Sequence, residues 1–155
     1  MFRYSIRLIS SAAVSICGLL LVASPTTRLS AQYSPGACTL TVRVIGARNS
    51  DGNIRVVLRR DENTVVEAKQ AEIDAKTLTA QAVFTNVPEG EYGVAVIHDE
   101  NKNGKLDMNE MGIPVEGYGH SNNPAKRMGP PNFEETKFKL TNPGTSIEIR
   151  LNYWM

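Results

Sequence analysis

From Cys38 onward the chain repeats one short pattern: apolar side chains at every second position, broken by clusters of glycine, proline, asparagine and aspartate. A period of two is the signature of a strand, whose side chains point alternately to opposite faces. Cys38, Leu40, Val42 and Val44 share one side of a first strand over 38–46. Asn49-Ser50-Asp51-Gly52 is a turn cluster, and 53–60 reads as a second strand returning antiparallel to the first. Residues 61–75 show no clean 3.6-residue period and read as a loop with some extended structure. A third strand spans 77–86, with Leu78, Ala80, Ala82 and Phe84 on one face. Val87 to Glu91 turns the chain into a fourth strand, Tyr92 to His98. Residues 111–133 have little periodicity, and 134–140 with 145–153 read as a closing hairpin around Asn142-Pro143-Gly144. Short strands with turns at this spacing predict an all-β fold, a single antiparallel β-sandwich of about seven strands.

The fourth strand runs into Asp99-Glu100-Asn101-Lys102-Asn103-Gly104-Lys105-Leu106-Asp107-Met108-Asn109-Glu110, which matches a twelve-residue calcium loop. Asp99, Asn101, Asn103, Asp107 and Glu110 fall at positions 1, 3, 5, 9 and 12, and Gly104 at position 6. A hard cation takes six to eight oxygens, so the chain must curl and present every second side chain inward. Gly104 permits the sharp turn, and Lys105 at position 7 would offer its backbone carbonyl. Asn-Gly is also a common hairpin signal, so a plain solvated turn is the competing reading. The β-branched run before the loop, and Gly112, Pro114, Gly117 and Gly119 after it, argue against flanking helices. The expectation is a calcium-type loop hung on a strand, with Ca²⁺ as cofactor.

Residues 1–31 read as an export signal: Arg3 and Arg7 precede an apolar stretch, Ala12 to Ala23, too short to span a bilayer. Cys17 would serve a lipoprotein signal, but the apolar run continues past it. Cleavage after Ala31 removes 31 of 155 residues and leaves a 124-residue domain, 32–155. It also removes three of 17 bases and no acid, so 14 bases face 16 acids and the formal charge moves from +1 to −2. No basic run remains for nucleic acid or an anionic membrane, and no transmembrane span is expected. Cys38 is then the one remaining cysteine, and its place on the apolar side of the first strand points to a buried thiol.

The run from Ile97 to Asp107, followed by Gly112-Ile113-Pro114, Glu116-Gly117-Tyr118-Gly119, Ser121-Asn122-Asn123, Gly129-Pro130-Pro131 and Phe133, resembles the exported bacterial family of unknown function DUF2141. That resemblance covers about 38 to 153 and implies a secreted or periplasmic β-sandwich without an assigned activity. Asp99 to Glu116 is also similar to calcium loops in the B-type repeats of surface adhesins. The turn Val87 to Tyr92 is similar to one in transthyretin-like (prealbumin-like) sandwiches.

His98 and His120 are the two histidines, and neither has the close spacing to cysteine or histidine usual in a zinc site. Tyr118, His120, Ser121, Asn122 and Asn123 either pack over the calcium loop or line a groove for a small polar ligand such as a sugar. No nucleophile-elbow pattern surrounds Ser121, so the chain is expected not to be an enzyme. The resulting expectation is an exported calcium-binding binding or structural module of the cell envelope, periplasmic or secreted, with an envelope partner or glycan. A metal-dependent hydrolase and a periplasmic small-ligand carrier are the alternatives.

Overall fold

Residues 37–127 and 129–154 are described by a computed structural model, and the expected export signal lies outside them. Strand β1 (Ala37–Ile45) follows the alternation of its sequence: Cys38, Leu40, Val42 and Val44 are buried and Thr39 and Arg43 exposed. It lies at the centre of a three-stranded sheet, between β4 (Ala80–Pro88), antiparallel, and β8 (Gly144–Arg150), parallel. The second sheet runs β3 (Val65–Ala71), β2 (Asn53–Arg59), β5 (Gly90–Asp99) and β6 (Gly117–His120). A short β7 (Phe138–Leu140) joins it by pairing with the start of β5.

One core lies between the sheets. Leu40, Val42, Phe84 and Ile149 from the first meet Ile54, Val56, Leu58, Tyr92, Val94 and Val96 from the second. Each such side chain, fully removed from water, contributes about 1.5–3 kcal/mol. The architecture is the all-β sandwich that the alternation predicts, with eight strands among the described residues and one parallel pair.

Four local expectations are corrected. Strand β2 does not pair with β1; residues 46–52 carry the chain across to the other sheet, where β2 pairs with β3 and β5. Ile54, Val56 and Leu58 thereby face β1 across the core instead of standing beside it. Residues 65–71 form strand β3, an edge strand with Val65 and Val66 exposed and Glu67 and Lys69 on it, so no buried face marks it in the sequence. The closing hairpin is not formed either: β7 and β8 enter different sheets, which buries Leu140 and Ile149 completely. Leu78 stands outside β4 at φ +52°, leaving Ala80, Ala82 and Phe84 as that strand's inward face. Beyond Phe84 the β1–β4 register steps from Leu40↔Phe84 to Cys38↔Val87, so β4 carries one extra residue. Asn86 takes φ +60° in this bulge, a conformation asparagine tolerates better than most residues.

Candidate metal loop and the adjoining sheet face

Strand β5 alternates to its end, so His98 points into the sandwich and Asp99 to the outer face, where residues 100–116 fold over it. Both are wholly buried. Asp99 Oδ1 accepts the Asn103 N–H at 2.9 Å and Oδ2 the Gly104 N–H at 2.7 Å. Gly104 holds φ +81°, which keeps its N–H turned back toward that carboxylate. Asn101 Oδ1 accepts from Asn103 N at 3.0 Å, and Asn103 Oδ1 from Lys105 N at 2.9 Å, giving two successive Asx turns. The amide of Asn101 donates to Asp107 Oδ2 at 2.6 Å, and that of Asn103 to both Asp107 oxygens at 2.9 Å. Asp99, Asn101, Asn103 and Asp107 are thus gathered around one small volume. The Lys105 side chain is exposed and stands away from it.

Glu110 is not gathered with them. Residues 107–109 pair back on 113–115 through Val115 N to Asp107 O and Asn109 N to Ile113 O, both 2.9 Å. Glu110 and Met111 form the exposed tip of that turn, closed by Asn109 Oδ1 accepting from Met111 N and Ile113 N. The acid brought to the loop is Glu116, which the spacing rule passes over. It is 4% exposed; Oε1 accepts from Glu100 N at 2.9 Å and Oε2 from Asp107 N at 3.0 Å, clamping both ends of the loop. Its signal in the sequence is its place directly before β6, the strand that pairs with β5.

Neither Asp99 nor Glu116 has a Lys, Arg or His within ion-pair distance among the described residues. A buried carboxylate needs a counter-charge or a full set of donors. The oxygens of Asp99, Asn101, Asn103 and Asp107, with the Glu116 carboxylate on the same stretch of backbone, suit a hard cation. No group of three or more His, Cys, Asp or Glu that could hold a metal ion is gathered among the described residues, so a cation here would depend on amide and carbonyl oxygens as well as on carboxylates.

Beside the loop, Arg48 pairs with Glu100 at 2.7 Å and donates to the Val115 carbonyl at 3.2 Å. Its backbone N–H reaches the Tyr153 hydroxyl, which also meets His98 Nδ1 at 2.7 Å. His98 Nε2 meets the Asp51 carbonyl at 2.8 Å, which only accepts, so Nε2 carries a proton. Burial pushes the Tyr153 phenol above its ordinary pKa and keeps it a donor. His98 and His120 lie on opposite faces of their sheet and share no site.

Of the five residues expected to pack over the loop or to line a groove, three hold backbone elsewhere than in the loop. Ser121 is buried and bonds the Val94 N–H and the Thr136 carbonyl. Asn122 holds the carbonyls of Glu135 and Lys137, and Asn123 bonds Glu148 O and Arg150 N. These three staple backbone. Tyr118 and His120 instead face a groove on the outer side of the sheet. Cys38 is buried in the core, where desolvation and the nearby Glu89 raise its thiol pKa.

The family model described as "Uncharacterized protein conserved in bacteria (DUF2141)" matches residues 42–148, and the chain belongs to that family. No curated protein and no solved structure matches the chain.

Proposed function

We propose that this DUF2141 chain is an exported, non-catalytic binding or structural module of the cell envelope whose loop from Asp99 holds one calcium ion. The observation that carries the reading is the pair of buried carboxylates, Asp99 and Glu116, neither of which makes an ion pair among the described residues. Asp99, Asn101, Asn103 and Asp107 would supply side-chain oxygens and Lys105 its carbonyl. Glu116 replaces Glu110 as the closing acid in this reading, because Glu110 lies on an exposed turn tip. With three carboxylates and two neutral amides, affinity belongs in the range of roughly 10⁻⁶ to 10⁻³ M, suited to an extracellular supply. The non-catalytic part rests on groups already committed: Ser121 to backbone, His98 to Tyr153 and Asp51, and Cys38 to the core.

The test is a thermal melt of chelator-stripped protein titrated separately with calcium, magnesium and zinc. Calcium at 100-fold over Kd stabilises the native state by about 2.7 kcal/mol, visible as a higher Tm. Magnesium, which demands a tighter octahedron, is expected to do much less. Asp99→Asn and Glu116→Gln should each lose the calcium shift, and Glu110→Ala should keep it. A Tm indifferent to calcium makes the loop an ordinary turn, and retention of the full shift by both loss variants refutes the ligand set.

A further inference from the structure

On the outer face of the second sheet, β5 presents only Gly93 and Ala95 where its neighbours present Arg59 and His120. The small residues leave a trough, and residues 106–114 on one side and Arg127 with 129–136 on the other line it. Two adjoining cavities result, of ≈ 580 and ≈ 260 Å³, with Arg59, Ala95, His120, Arg127 and Pro130 common to both.

The charges in this trough are uneven. Arg127 is neutralised by Glu135, to which it makes two contacts of 3.0 and 2.7 Å. Arg59 holds no ion pair among the described residues. Its Nη1 donates to the Glu62 carbonyl at 3.3 Å, while its buried Nε has no hydrogen-bond partner. A buried guanidinium N–H without an acceptor is rare in native proteins and calls for one. Asp61 and Glu62 line the larger cavity, where an anion would meet them. No acid lines the smaller one among the described residues; its walls include Leu106, Met108, Pro114, Tyr118 and Trp154. The Trp154 indole is fixed in place by its N–H, which donates to the Tyr118 hydroxyl at 2.7 Å. His120 is held neutral near pH 7 by burial and by Arg59, so it offers an imidazole and not a second cation.

We propose that the smaller cavity binds a small organic monocarboxylate with an apolar body, its carboxylate on Arg59 and its body between Met108, Pro114, Tyr118 and Trp154. Charge complementarity selects the headgroup: of the two guanidiniums that line this slot, Arg127 is paired with Glu135 and Arg59 has no ion pair, and no acid lines it among the described residues. A planar carboxylate also fits the guanidinium fork. Leu106 and Met108 in the slot wall belong to the loop proposed to hold calcium, so the titrations below are run with calcium present and again after chelation, and the carboxylate preference is expected in both.

Trp154 is the only tryptophan in the chain, so its emission reports directly on the slot. The protein would be titrated with octanoate and 3-phenylpropionate, which distinguish an alkyl from an aryl body. Octanol, octylammonium and acetate serve as controls for charge and for body. The expected result is a saturable emission change with at least one of the two carboxylates, at least tenfold tighter than with octanol. Octylammonium and acetate should not saturate. Arg59→Gln should lower carboxylate affinity at least tenfold and leave octanol binding unchanged. Equal affinity for octanol and octanoate, or no saturable carboxylate binding, overturns the proposal. The wild-type comparison decides this even if the Arg59 variant does not fold.

Discussion

His120 titrates in a window of its own. Burial first, and then the charge of Arg59, lower its pKa from 6.5 to about 4 in the folded chain. Unfolded chains therefore bind a proton at His120 between pH 6.5 and about 4, while folded ones do not. Stability contributed by the neutral ring is full above pH 6.5 and is lost as the pH falls toward 4. Replacing His120 with Gln should flatten the fall in denaturation midpoint across that interval, read from urea titrations at several pH values. An unchanged pH profile would mean that the ring is protonated freely in the folded state. At this scale the sequence yields residue types and spacing but not direction. Asp99, Asn101, Asn103 and Asp107 converge because their alternation survives into the loop. Glu110 departs because Asn109 closes a tighter turn than spacing alone implies, and Glu116 was hidden behind that turn. Arg59 reads as one base among many until the glycine and alanine opposite it are seen to open a trough.

Strand β6 is four residues long and contains two glycines, which is why pattern reading misses it. Its glycines face inward, against the end of β8 and the chain beyond it. A Cβ at Gly119 would lie 2.7 Å from the Arg150 carbonyl oxygen and 2.8 Å from Ile149 Cγ2; one at Gly117 would enter the Tyr153 ring. Glycine here is a requirement of close approach, by the Arg150 backbone at Gly119 and by the Tyr153 ring at Gly117, not of turning. Gly119→Ala should therefore destabilise the fold by about 1–3 kcal/mol, the usual effect of overpacking a filled core, measurable as a lower urea midpoint. No change in midpoint would show that β8 can retreat at little cost. Strands β1 and β4 are legible because they have one wet and one dry face and so imprint a period of two, whereas β5, covered on both faces over most of its length, is legible from its valine- and isoleucine-rich run. Strand β3 has almost no dry face, and β2 was recognised but assigned the wrong neighbour. Alternation says which side of a strand is buried and nothing about which strand lies next to it.

At the scale of the whole molecule, the sheet that holds β1 is completed by the end of the chain. Ile149 and Leu151 are buried in the shared core, and β8 supplies seven consecutive register partners to β1 from Thr39 to Ile45. Deleting residues 142–155 should abolish cooperative thermal unfolding, because the two lost core side chains alone account for about 3–6 kcal/mol at roughly 1.5–3 each. A truncated chain that still melts sharply would show that β4 and β1 suffice as a sheet. The same adjacency has a consequence in time. The earliest strand to be made is unfinished until the latest arrives, and the contact that finishes it spans a hundred residues and is parallel, the slowest kind of pairing to find. The strands of the second sheet, β2, β3, β5, β6 and β7, all precede β8, so it is the β1 sheet alone that waits for the last strand.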